Sequence, residues 1–196
     1  MSDALPKIYL VRHGETEWSV SGKHTGTKDI PLTERGKQNA TELRGRLAEV
    51  QPLQVLCSPL ERARQTCELA GFGARMVLDP DLVEWGYGDY EGLTTPEIQK
   101  ARPGWSLFRD SCPGGETLED VGRRADRIIA RVRSLEGDTI LFGHGHAHRI
   151  LAARWLALPP RSGALFRLGP ASVSVLSYEH TVDEPAISLW NDERRP

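Results

Sequence analysis

Cysteine is scarce: there are three, Cys57, Cys67 and Cys112, with no CxxC spacing among them. That is too few for a disulfide framework and the wrong pattern for a zinc site, and it implies a reducing compartment. Long hydrophobic runs are missing, since nowhere do about 18 apolar residues follow one another. The opening MSDALPKIYLV has no basic region leading into an apolar stretch, so neither a membrane span nor a secretory leader is expected, and the expected location is cytoplasmic. Lysine is also sparse, with five residues against a net charge of -2, and no cluster of positive charge suits a nucleic-acid backbone. No GxxxxGK[ST] loop is found, which argues against an ATP- or GTP-binding P-loop. Internal repeats, low-complexity tracts and interdomain linkers are absent as well.

What remains is an ordinary globular composition, 39% hydrophobic and 27% charged, over 196 residues, and this predicts one domain spanning 1–196. Short apolar runs bounded by turn residues alternate with stretches of helical period, the pattern of an α/β sheet layered with helices. Strands are expected at Ile8 to Val11, Val55 to Ser58, Arg75 to Leu78, Thr139 to Phe142 and Val173 to Tyr178, with Ala186 to Trp190 as an edge. Ala40, Leu43, Leu47 and Val50 mark one amphipathic helix. Leu118, Val121, Ala125, Ile128, Val132 and Leu135 mark another, whose Arg123, Arg124, Arg127, Arg131 and Arg133 read as a solvated face. In SPLE, Ser58 reads as the cap, Pro59 as the first helical position and Glu61 as the far side of a capping box. Gly86 to Gly115, rich in glycine, proline and aromatics, reads as an inserted segment that roofs a pocket.

The first strand runs straight into RHGETEW, which puts Arg12 and His13 at its carboxyl end, the edge where open α/β sheets bind ligands. The strand Thr139 to Phe142 runs into GHGHAH, which puts His144 and Gly145 at a second strand end ahead of a helix from Ala147 to Leu156. Arg62, in the first turn of the helix after a third strand, joins the same rim. Phosphoryl transfer needs a positioned nucleophile and positive charge around the equatorial oxygens, and this set offers both. A neutral imidazole is a competent nucleophile near pH 7. For the leaving group's proton, DLVEWGYGDYEG offers Glu84 in partly apolar surroundings that favour its protonated form, with Asp89 and Glu91 as rivals.

RHGETEW, LTERG, CSPLERARQT, VEWGYGDYEG and GHGHAHR, in this order and across nearly the whole chain, resemble the histidine phosphatase superfamily, the phosphoglycerate-mutase-like proteins. The resemblance implies a three-layer fold with a mixed, mainly parallel sheet flanked by helices. It implies His13 as phosphohistidine nucleophile, Arg12, Arg62 and His144 as holders of the phosphoryl group, and Glu84 as proton donor; on electrostatic grounds His144 would stabilise the equatorial oxygens best when protonated. Ser19, Thr25, Gly26, Tyr87 and Gly145 follow as substrate-binding candidates. Mutases of this family usually carry asparagine where Ser19 stands and Glu-Arg-x-Tyr-Gly where this chain has EWGYG, so hydrolysis is expected over mutase action. WGYGDYEGLTTPEI, GHGHAHR and VLSYEHTVDEPA are most similar to the branch of sedoheptulose-bisphosphatase-like and broad acid phosphatases, which makes sugar phosphates the leading substrates. Trp85, Trp105 and Arg109 are further candidates for specificity. The expected partner is a small phosphorylated substrate, with no cofactor, no metal, no nucleic acid and no membrane; a homodimer is allowed.

Three other readings compete. His144, His146 and His148 could be imidazole ligands of a metal, but that leaves RHGET and SPLERAR unexplained. A cysteine phosphatase needs CxxxxxR, and the sixth residues after the three cysteines are Ala63, Gly73 and Leu118. A phospho-ligand sensor would keep the arginines without turnover.

Overall fold

The computed structural model describes residues 5–194. The expectation of no leader rests partly on residues 1–4, which lie outside the described residues. Six strands form one sheet: β1 (Ile8–Arg12), β2 (Gln54–Cys57), β3 (Met76–Leu78), β4 (Thr139–Gly143), β5 (Val173–Tyr178) and β6 (Pro185–Asp192). Their order is β3-β2-β4-β1-β5-β6; the first four are mutually parallel, and β5 and β6 run antiparallel at one side. Seven α-helices complete the described chain: α1 (Glu17–Ser21), α2 (Glu34–Arg46), α3 (Glu61–Leu69), α4 (Thr95–Ala101), α5 (Leu107–Asp110), α6 (Leu118–Arg133) and α7 (Gly145–Trp155).

Side chains alternate across the pleat, and each set meets a different helical layer. Ile8, Leu10, Leu56 and Leu141 pack with Val121 and Ile128 of α6 and Ile150 and Leu151 of α7. Val11, Val55, Cys57, Ile140 and Phe142 face the other way, onto Leu43 of α2 and Ala63 and Cys67 of α3. β1, β2 and β4 are therefore buried on both faces, which is why they read as unbroken apolar runs. No described helix is long and apolar enough to cross a membrane.

Two local readings need correction. α3 begins at Glu61 with Leu60 at its N-cap and no side-chain cap, so SPLE does not form a capping box. The Ser58 hydroxyl is engaged with His144 instead, 2.8 Å from Nε2. On α6, Arg124 leaves the solvated face and is 9% exposed. Arg127 and Arg131 pair with Asp81 and Asp79, and Arg133 lies over the Trp155 ring.

The segment from Gly86 to Gly115 leaves the sheet and returns beside its own start, where Glu116 N–H donates to Gly86 O at 2.9 Å. It holds a single 3-10 turn at Gly88–Tyr90 followed by α4 and α5.

Candidate active site

β2, β4 and β1 lie side by side and deliver three junctions to one rim. His13 follows β1, His144 is the N-cap of α7 directly after β4, and Arg62 is the second residue of α3, reached from β2 through Ser58. The His13 and His144 rings are 5.2 Å apart. The first motif is held by backbone contact: a Cβ on Gly14 would fall 2.5 Å from Gly36 O, so RHGET and LTERG can meet only as glycine on glycine. Gly14 N–H also donates to Thr66 Oγ1 at 3.0 Å, which brings the RARQT turn of α3 to the same point.

Hydrogen bonds fix both imidazoles. His13 Nδ1 is 2.7 Å from Gly14 O, and a carbonyl accepts only, so Nδ1 carries the proton and the Nε2 lone pair is left free. Burial first, then the charges of Arg62 and Arg12, hold His13 well below the usual histidine range and keep it neutral. His144 receives the Arg62 Nε–H on Nδ1 at 3.2 Å, so its proton sits on Nε2 and points to Ser58 Oγ. His144 is fully buried, and burial with the adjacent Arg62 charge pushes it well below the ordinary range. Protonation of His144, which would suit the equatorial oxygens best, is disfavoured in this setting, because a guanidinium donates into Nδ1 and the ring is buried.

Arg12 donates from Nη1 to Leu168 O, while its buried Nε–H has no partner. The guanidinium packs against Gly145, where a Cβ would be 3.2 Å from Cζ. Both oxygens of Glu84 are met by backbone amides: Oε1 accepts from Trp85 N at 2.9 Å and Ala147 N at 2.8 Å, and Oε2 accepts from His146 N at 3.0 Å. The aromatic neighbours expected from the sequence are present, but the amino end of α7 supplies most of the carboxyl group's contacts.

A cavity of about 270 Å³ opens between these groups. Arg12, His13, Ser19, Thr25, Glu84, Tyr87 and Gly145 line it, whereas Arg62, His144 and Gly26 are not among its lining residues. Arg62 spends Nη1 on Lys28 O and Nη2 on Thr25 O and Gly26 O, so it straps the 25–28 loop against His144. Ser19 reaches the cavity with a committed hydroxyl, which donates to Thr16 O at 2.8 Å within the capping box of α1. The rival Glu91 is bound to Thr27 Oγ1 and Lys28 N, and neither it nor Asp89 lines the cavity. Of the roof candidates, Tyr87 lines it, whereas Trp85 and Trp105 are buried and Arg109 pairs with Asp110.

The model for the "Histidine phosphatase superfamily (branch 1)" matches residues 8–193. This chain belongs to the histidine phosphatase superfamily. It is 39% identical to an acid phosphatase of Mycobacterium tuberculosis over 92% of this chain and 91% of that one. It is 34% identical to the sedoheptulose 1,7-bisphosphatase of Saccharomyces cerevisiae, over 96% of this chain and 94% of that one. The solved structure of an open reading frame product of Mycobacterium tuberculosis superimposes with a TM-score of 0.90 at 35% identity, covering 95% of this chain and 97% of that one. Family and relatives together support a phosphoric monoester hydrolase.

The cavity of this histidine phosphatase also has walls that sequence reasoning missed. Trp18, Lys23, His24, Thr95, Arg149 and Leu168 line the cavity. Lys23 and His24 sit beside Thr25 in HTGT and Arg149 closes GHGHAHR, so proximity to the motifs was their only signal; Leu168 had none. His146 lines the wall, with Nδ1 2.6 Å from the Tyr87 hydroxyl. The three histidines of GHGHAH diverge: His144 meets Arg62 and Ser58, His146 meets Tyr87, and His148 is buried with neither ring nitrogen partnered. Among the described residues, no group of three or more His, Cys, Asp or Glu could hold a metal ion.

Burial holds His148 down to about 4, and His13, His144 and His146 are lowered in the same direction. The unfolded chain, with histidines near 6.5, therefore binds more protons than the folded one below that pH, and stability falls as pH falls from about 6.5 towards 4. His148 alone accounts for about 3 kcal/mol at the acid end. Urea unfolding midpoints at pH 7 and pH 4 should differ accordingly; equal midpoints would show that these imidazoles are not buried neutral.

Proposed function

We propose that this protein hydrolyses small phosphate monoesters, sugar phosphates foremost, through a phosphohistidine on His13. In the first step Nε2 attacks phosphorus in line, the N–P bond forms as the ester P–O bond breaks, and Glu84 gives its proton to the leaving alcohol. In the second step the Glu84 carboxylate takes a proton from water as the water oxygen attacks phosphorus and the N–P bond breaks, which releases inorganic phosphate. Arg12 is assigned the phosphoryl oxygens, where its unpartnered Nε–H gains an acceptor. Arg62 and His144 are assigned a supporting place behind His13: the guanidinium charge keeps the nucleophile unprotonated and the cradle positive.

The observation that carries this reading is the tautomer of His13, which leaves Nε2 bare in a cavity that also holds Arg12 and Glu84. Hydrolysis is favoured over mutase action because Trp85, fully buried with Nε1 donating to Glu116 O, fills the position where the mutase pattern has an arginine for its substrate's carboxylate. The sugar-phosphate preference is supported by the kinship with the sedoheptulose 1,7-bisphosphatase, and the cavity size suits a small ester.

A screen of sugar mono- and bisphosphates plus a generic aryl phosphate, in excess chelator and with a 3-phosphoglycerate mutase assay alongside, tests it. The expected result is hydrolysis at an undiminished rate with no mutase product. Inertness across the panel would favour a sensor, and loss of turnover in chelator would restore the metal reading.

A further inference from the structure

Glu84 stands on a short loop that owes its shape to two residues outside the cavity. Arg124 of α6 uses its whole guanidinium there. Nε and Nη2 each donate to Glu116 at 2.8 Å, Nη1 donates to Asp81 O at 2.7 Å and Val83 O at 3.0 Å, and Nη2 also reaches Glu84 O at 3.4 Å. Glu116 closes the ring from the other side. Its Oε2 accepts Gly86 N–H at 2.8 Å, its carbonyl accepts Trp85 Nε1–H at 2.9 Å, and its N–H donates to Gly86 O at 2.9 Å. Residues 81, 83, 84, 85 and 86 are thus all tied to one ion pair, while Leu82 between them is anchored in the core.

A buried ion pair is weak evidence for stability, because desolvation offsets most of its attraction. Here Arg124 is buried and the Glu116 side chain half-buried, while the neighbouring arginines on the same helix carry their charge in solvent. What the pair does achieve is to fix the Glu84 main chain on both flanks, so that the carboxyl group meets the amides of His146 and Ala147.

We propose that Arg124 and Glu116 are positioning residues for the proton transfer by Glu84. This inference rests on the proton-donor reading of Glu84 and adds to it that the donor's placement depends on a clamp with no contact to the cavity.

The test is the leaving-group dependence of kcat/KM, which reports the steps up to departure of the alcohol, in Arg124→Met, Arg124→Lys and Glu116→Gln, compared with Glu84→Gln. Water activation by Glu84 is common to every ester, whereas in the phosphorylation step a displaced donor slows only esters whose leaving group needs the proton. Arg124→Met should slow an alkyl phosphate by roughly 10- to 100-fold, since displacement by about an ångström suffices for that, and an activated aryl phosphate by less than about 3-fold. Arg124→Lys, which keeps charge and loses the fork, should fall between wild type and Arg124→Met, and Glu116→Gln should follow the same split. If Arg124→Met does not fold, the other two variants carry the test. Equal slowing of both esters, or no slowing, while Glu84→Gln keeps its split would overturn the clamp alone. Absence of the split in Glu84→Gln itself would overturn the proton-donor reading and the clamp with it.

Discussion

His13→Ala is expected to lose turnover of every phosphate ester, by roughly 10⁴-fold or more, with little loss of fold. The size follows from what the side chain does: without Nε2 there is no atom to receive the phosphoryl group, and no neighbour can replace it. Ser58 faces His144, Ser19 is committed to Thr16, and Cys57, Cys67 and Cys112 are buried. Removal of one imidazole also removes the burden of keeping it neutral next to Arg12 and Arg62. Phosphate binding should therefore survive the substitution. Titration of inorganic phosphate beside the activity assay separates a lost nucleophile from a collapsed site; loss of both would mean that His13 is structural.

Glu84→Gln should lower kcat/KM, which reports the phosphorylation step, by about 10²- to 10⁴-fold for alkyl and sugar phosphates and by much less for an activated aryl phosphate, because only a poor leaving group needs the proton. The substitution has a structural cost as well. Three backbone N–H groups converge on the two carboxylate oxygens, and a glutamine must turn its NH₂ towards at least one of them. That leaves a buried donor unpaired, worth about 1–3 kcal/mol. A melting curve for the variant should show this loss, while the ratio of the two hydrolysis rates reads the chemistry. Equal slowing of both esters would remove Glu84 from the acid role.

Strands and motifs were legible because they are local. Ile8 to Val11 and Thr139 to Phe142 are apolar runs that can only be buried, and RHGET and GHGH follow them directly, so the placement of His13 and His144 needed no tertiary information. Arg62 was placed in a first turn for a partly wrong reason: the helix begins beyond Ser58 and Pro59, because the serine hydroxyl is held by a histidine 86 residues away in sequence. Arg124 was invisible for the same kind of reason. On α6 it is one arginine among five, and only the return of the 86–115 segment brings Glu116 to it. The cavity wall was half legible: Tyr87 and Thr95 lie in WGYGDYEGLTTPEI, whereas Leu168 arrives from a segment with no such pattern. The layer behind the site, in which Arg62 straps one loop and His144 is neutral, depends on burial and cannot be read from residue types.

The central claim is that His13 becomes covalently phosphorylated, and rapid quenching with a radiolabelled aryl phosphate tests it most directly. The expected product is an acid-labile, alkali-stable label on His13 at Nε2, formed together with a burst of the aryl alcohol and absent from His13→Ala. A burst of alcohol without bound phosphate, a label on any other side chain, or no label at any time point would contradict the claim.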